Sequence, residues 1–128
     1  MSLATPISYQ LHIRVARPLQ LRVGALGELH FPPGRYLYTG SARRNLQARV
    51  ARHLRRDKTL RWHIDYLLAH PAVTVERVET GSIGECAWNR GSAGEVLQHG
   101  FGASDCRAGC GAHLRWLGAD DIASWDGA

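Results

Sequence analysis

Tyr38-Thr39-Gly40-Ser41, followed by Arg49 and His53, is the densest chemical cluster in the sequence. A phenol, a hydroxyl, a guanidinium and an imidazole are groups that bind and activate a phosphate. Arg offers a planar fork of donors matched to phosphate oxygens. His has the side-chain pKa nearest neutrality. Arg49 and His53 are four positions apart, so a helix stacks them on one face. Gly40-Ser41 marks the turn before that helix, whose first free N–H groups attract an anion. Each residue also has an ordinary structural use. Tyr38 could be a strand aromatic in the core, and Arg49 part of a solvated basic face.

The elements that must position these groups are readable from periodicity. Tyr9, Leu11, Ile13 and Val15 alternate with polar residues over Ser8–Val15, which predicts a half-buried strand. Leu19–Val23 alternates too, and after a turn at Gly24–Gly27 the run Glu28–Phe31 reads as short and extended. Pro32-Pro33-Gly34 forces another turn before Arg35–Thr39. The first forty residues therefore predict an antiparallel meander. A helix is expected over Arg43–Arg56, with Leu46, Val50 and Leu54 as its core stripe. Arg49, Arg52, His53 and Arg56 fall on its polar face. Thr59 is the expected cap of a second helix, Leu60–His70, with Leu60, Ile64, Leu67 and Leu68 inward. In that helix Trp62 and Tyr66 read as amphipathic packers, and His63 and Asp65 do not share a face. Alternation returns over Val73–Val78. A short helix is expected at Glu85–Arg90, glycine-rich loop over 91–112, and a last strand at His113–Leu117. The pattern predicts an α+β fold: one compact domain over 1–128, its small, mostly antiparallel sheet flanked by helices. The core is expected over about 8–117, with 118–128 as a tail.

Composition narrows the function. The chain has 128 residues, a length typical of one domain. No apolar stretch approaches the ~20 residues of a membrane span, and the N-terminus lacks the pattern of a secretory signal. Three cysteines do not make a disulfide framework, so a cytoplasmic protein with thiols is expected. The formal net charge of +5 is unevenly divided: residues 1–64 sum to +10 and residues 65–128 to −5. The positive half is where a polyanion is expected to bind. Arg43, Arg44, Arg49, Arg52, Arg55, Arg56 and Arg61 supply its phosphate-gripping face.

Tyr38-x-Gly40, Arg49 and Arg49-x-x-x-His53 resemble the second half of the GIY-YIG nuclease motif, with Ile7-Ser8-Tyr9 as its first half. The tracts Phe31–Ala42 and Arg52–Leu68, the Glu85-Cys86 pair and Gly100–Cys106 leading to His113-Leu114 are more particular. Together they resemble a small prokaryotic family related to these nucleases, a domain also found fused to endonuclease III-like repair enzymes. The resemblance runs from about Tyr9 to Leu117. It implies a GIY-YIG-like fold and one-metal phosphodiester cleavage of nucleic acid, DNA rather than RNA, in DNA repair. It assigns Tyr9, Tyr38, Arg49 and His53 to catalysis. It assigns Glu85 to a single Mg²⁺ or Mn²⁺ and Ser41 to positioning a phosphate; Arg43, Arg44, Arg52 and Arg56, from the basic face, are the further expected substrate contacts. It also raises an association with a repair enzyme. Ile7 stands where the motif has its first glycine, so a nucleic-acid-binding module that does not cut is the alternative.

Cys106, Cys110 and His113, with Cys86 as a fourth ligand, give a weaker zinc reading. Their spacing is near that of metal ligands but lacks paired C-x-x-C knuckles. Ordinary thiols beside a strand-start His are the simpler account.

Overall fold

Strand β1 (Ser8–Val15) buries Tyr9, Leu11, Ile13 and Val15 on one face, as its alternation requires. The structure, a computed structural model, describes residues 7–42, 44–55, 60, 62–102 and 112–118. The opposite face of β1 is covered too at its N-terminal end, where Ser8 and Gln10 are buried.

The first forty residues do not form a simple meander. β1 pairs directly with β4 (Gly34–Ser41), with Tyr9 opposite Gly40 and Leu11 opposite Tyr38. Between them, β2 (Leu19–Arg22) and β3 (Glu28–Phe31) form a separate two-stranded sheet joined through a 3-10 turn. Pro18 and Pro32-Pro33 bracket this hairpin. Proline gives no backbone donor to a ladder, so neither strand end continues into the main sheet.

β5 (Val73–Gly81) pairs with the other edge of β1, and β6 (Leu114–Gly118) with the other edge of β4. The order is β5-β1-β4-β6, antiparallel throughout. Among the described residues three helices flank the two sheets, so the fold is α+β: α1 (Leu46–Leu54), α2 (His63–Leu68) and α3 (Glu85–Gly91). Ile64, Leu67 and Leu68 of α2 join Tyr9, Leu11, Ile13, Tyr36 and Tyr38 in the core, against which Leu46 and Val50 of α1 pack.

Two helices differ from their expected form. α1 begins at Leu46 because Asn45 sits in the left-handed region, at φ 56°, and breaks the turn before it. Its inward residues are Leu46, Val50 and buried His53, whereas Leu54 is 52% exposed. The stripe therefore follows i, i+4, i+7 rather than i, i+4, i+8. α2 begins at His63, after an exposed Leu60. Its start is fixed by Asp65, whose carboxylate accepts from the Trp62 N–H at 2.9 Å. The expected cap, Thr59, lies outside the described residues.

Candidate phosphate and metal site at the end of strand β4

At one end of the sheet, four elements bring their polar groups together. β1 supplies Tyr9, β4 supplies Tyr38 and Ser41, α1 supplies Arg49 and His53, and α3 supplies Glu85. The Tyr9 hydroxyl and His53 Nε2 share a hydrogen bond of 2.6 Å across 44 residues of sequence. Both residues are 2% exposed. The Tyr9, Tyr38 and His53 rings lie with centroids 5.3 to 6.4 Å apart.

Gly40 makes this packing possible. A methyl group there would overlap the Tyr9 hydroxyl and its ring carbon, so only glycine lets the phenol cross β4 toward α1. Gly102, at φ 69°, similarly approaches the Tyr38 ring, and its N–H donates to His63 Nδ1 at 2.8 Å. Gly102 thus packs closely against the Tyr38 ring.

Arg49 reaches back along the site. Its Nη1 donates to the Ser41 carbonyl at 3.0 Å, and its guanidinium lies 4.7 Å from the centre of the Trp62 ring. Arg52 lies over the same ring at 4.3 Å and pairs with both oxygens of Asp65, at 2.9 and 3.0 Å. Asp65 is fully buried, so the charge of Arg52 is matched within the fold. The polar face expected on α1 therefore splits: His53 is buried, Arg52 is paired, and Arg49 stays half-buried beside Ser41. Arg44 and Arg55 are exposed, while Arg43, Arg56 and Arg61 lie outside the described residues.

Glu85 opens α3 from the other side. Its Oε1 accepts from the Ser41 hydroxyl at 3.0 Å, and its Oε2 lies 3.2 Å from His113 Nδ1. The side chain is 32% exposed. The hydrogen bond from His113 holds its carboxyl below the usual carboxylate range, against the opposing effect of burial. Ser41 and the nearby charge of Arg49 act in the same direction. Glu85 is thus an anion at neutral pH, near Arg49 and both tyrosines.

Burial pushes the hydroxyls of Tyr9 and Tyr38 well above the ordinary tyrosine value of about 10. Arg49 pulls both the other way but does not win; Glu85 and Asp65 add to the rise. Tyr36 is raised for the same reason of burial. All three phenols are therefore neutral donors at physiological pH. A folded-state pKa raised above the unfolded one gives stability that is complete below the unfolded value and is lost as pH rises above it. Thermal melts followed by circular dichroism are expected to hold steady to about pH 9 and fall steeply above about pH 10. A melting point unchanged at pH 11 would contradict this burial.

The zinc reading finds only part of its set among the described residues. His113 is buried against Glu85, and its Nε2 lies 3.7 Å from Cys86 Sγ. Cys106 and Cys110 lie outside the described residues. Among the described residues, no group of three or more His, Cys, Asp or Glu side chains is arranged to hold a metal ion. Within the site, Glu85 offers a hard, partly exposed carboxylate. Such a donor suits Mg²⁺ or Mn²⁺, which bind one or two carboxylates and complete their shell with water and phosphate oxygens. No helix among the described residues is long and apolar enough to cross a membrane.

Sequence reading missed three contributors. Asp65 is legible in retrospect as an acid inside the apolar run Ile64–Leu68, where a buried charge needs a partner. Trp62 packs as expected, but the stacking of Arg49 and Arg52 on its ring and the pairing of His113 with Glu85 carry no local signal. A family model described as a domain of unknown function, DUF123, matches residues 8–124. The chain belongs to the DUF123 family. The match spans every described element of this DUF123 domain, and with them every described group of the site. No curated protein and no solved structure matches the chain.

Proposed function

We propose that this DUF123 domain is a metal-dependent endonuclease of GIY-YIG type, hydrolysing phosphodiester bonds in DNA. The observation that carries the reading is the convergence of Tyr9, Tyr38, Arg49, His53, Ser41 and Glu85 at one end of β4. A phosphate beside Ser41 would meet the Arg49 guanidinium, which stabilises charge on its non-bridging oxygens. The Tyr9 hydroxyl is neutral, so it does not act as a phenolate. With His53 Nε2 as its acceptor, it acts as a relay. A water proton passes to the Tyr9 oxygen as the Tyr9 proton passes to His53 Nε2. Tyr38 lies in the same aromatic group and orients the attacking water as a neutral donor.

Glu85 is the residue that would hold Mg²⁺ or Mn²⁺. When bound, that ion supplies a Lewis acid against charge building on the phosphate and the leaving oxygen. Exposed Arg44 and Arg55 extend the basic surface along α1 for the flanking backbone. The resemblance to domains found fused to endonuclease III-like repair enzymes favours DNA substrates in repair, beside an enzyme of that kind.

The experiment is cleavage of supercoiled plasmid and of branched DNA by the full chain, with Mg²⁺ or Mn²⁺ and with chelator. Metal-dependent nicking that disappears in Glu85→Gln is expected. Equal, metal-independent products from wild type and Glu85→Gln would end the reading.

A second reading is a nucleic-acid-binding module without chemistry. It is favoured by the internal bonds that engage Arg49 and both oxygens of Glu85. DNA binding that weakens steeply with salt, with no cleavage under any metal, selects it.

A further inference from the structure

We propose that His113 is a positioning residue that fixes the Glu85 carboxylate for the metal ion, an inference that rests on the reading of Glu85 above. His113 is 2% exposed and immediately precedes β6. Its backbone is tied on both sides: its N–H donates to the Phe101 carbonyl at 2.8 Å, and its carbonyl accepts from the Thr39 N–H at 3.0 Å. The carbonyl of Ala112, just before it, accepts from the Asn89 side chain of α3 at 2.8 Å. The imidazole is thereby held at a fixed height between β4 and α3.

Its ring chemistry has a direction. An ionised carboxylate only accepts, so His113 Nδ1 carries the proton in its 3.2 Å contact with Glu85 Oε2. Nε2 faces Cys86 Sγ, a weak donor, at 3.7 Å. Ser41 holds the other carboxylate oxygen from β4. Glu85 is thus gripped at both oxygens by two different elements, leaving each oxygen a further lone pair. A free Glu side chain has three rotatable bonds and loses up to about 1.5–2 kcal/mol of rotamer freedom on being ordered. Here that ordering accompanies folding, so metal binding does not have to supply it. Outer partners of metal ligands act in this way, and their loss typically weakens metal affinity about 10- to 100-fold. The same contact explains why a His that looked like a zinc ligand by spacing sits buried against a carboxylate.

The test is Mn²⁺ titration of the full chain, read by electron paramagnetic resonance of the free ion, with circular dichroism to verify folding. Glu85→Gln is expected to remove the site. His113→Leu is expected to weaken Mn²⁺ about 10- to 100-fold. Should the Leu variant fail to fold, two amides carry the test. Asn places its donor where Nδ1 sits and Gln places it where Nε2 sits, so His113→Asn is expected to bind near wild type and His113→Gln to bind weakly. Equal, wild-type affinity in all folded His113 variants, with Glu85→Gln defective, overturns the positioning role alone. Mn²⁺ binding untouched by Glu85→Gln overturns the metal reading of the site and this inference with it.

Discussion

Arg49→Ala is expected to lower DNA cleavage by about 10²- to 10³-fold while leaving the domain folded. Removing one preorganised donor to a developing oxyanion has an effect of that size, equivalent to roughly 3–4 kcal/mol of transition-state stabilisation. The structural losses are smaller. Arg49 gives up one hydrogen bond to the Ser41 carbonyl and its stacking on Trp62. In a half-buried setting these amount to about 1–2 kcal/mol together. The rate therefore falls far more than stability does. Arg49→Lys keeps the charge but loses the planar fork and the stacked guanidinium, so it is expected to recover only part of the loss. Single-turnover cleavage and fluorescence anisotropy on one labelled duplex separate the effects. The prediction fails if Arg49→Ala cleaves at the wild-type rate. It fails as well if the entire deficit is weaker binding, because then Arg49 contributes affinity and not chemistry.

The parts of the site legible in the sequence are those written in local pattern. Alternation located β1 and β4, and with them Tyr9 and Tyr38. Helical spacing located α1 with Arg49 and His53, but Gly40 and Ser41, expected as a turn, continue β4 and pair with Tyr9 and Ser8. The failures share a cause, since each depends on a contact far away in sequence. Helical periodicity treated His53 as polar and outward, and Leu54 as inward. The structure exchanges them because the Tyr9 hydroxyl, 44 residues away, offers His53 a buried partner. The meander failed for a related reason. Sequence neighbours β2 and β3 pair with one another, while β1 skips both to reach β4. Glu85 was legible as the acid opening a helix, but nothing near it in sequence shows that Ser41 and His113 hold it. The charge division acquires a physical meaning from these contacts. The positive half meets the site through Arg49, while from the negative half Asp65 neutralises Arg52 and Glu85 supplies the carboxylate proposed to hold the metal.

Asp65→Ala is expected to destabilise the fold strongly, at about 3 kcal/mol or somewhat more. Breaking a buried ion pair by removing one partner typically costs about 3–5 kcal/mol, because the remaining charge is left without compensation. Here the lower end applies. Asp65 is fully buried, but Arg52 keeps 20% of its side chain in solvent and so recovers part of its hydration. The Trp62 N–H also loses its acceptor at the start of α2, a capping contribution of about 1 kcal/mol. Against a total stability of about 5–15 kcal/mol, a loss this large lowers the melting point by roughly 10 °C or more. Asp65→Asn retains an acceptor for the Trp62 N–H and should fall between. The effect on function separates from the effect on stability in the double variant Arg52→Met, Asp65→Leu. Apolar replacement of a whole buried pair is often neutral, so thermal stability is expected to return toward wild type. Cleavage is not expected to return with it. Arg52 and Asp65 hold Trp62 in place, and Trp62 is the ring on which Arg49 rests. A double variant that regains both stability and full cleavage would show that this buried pair braces the fold without placing Arg49.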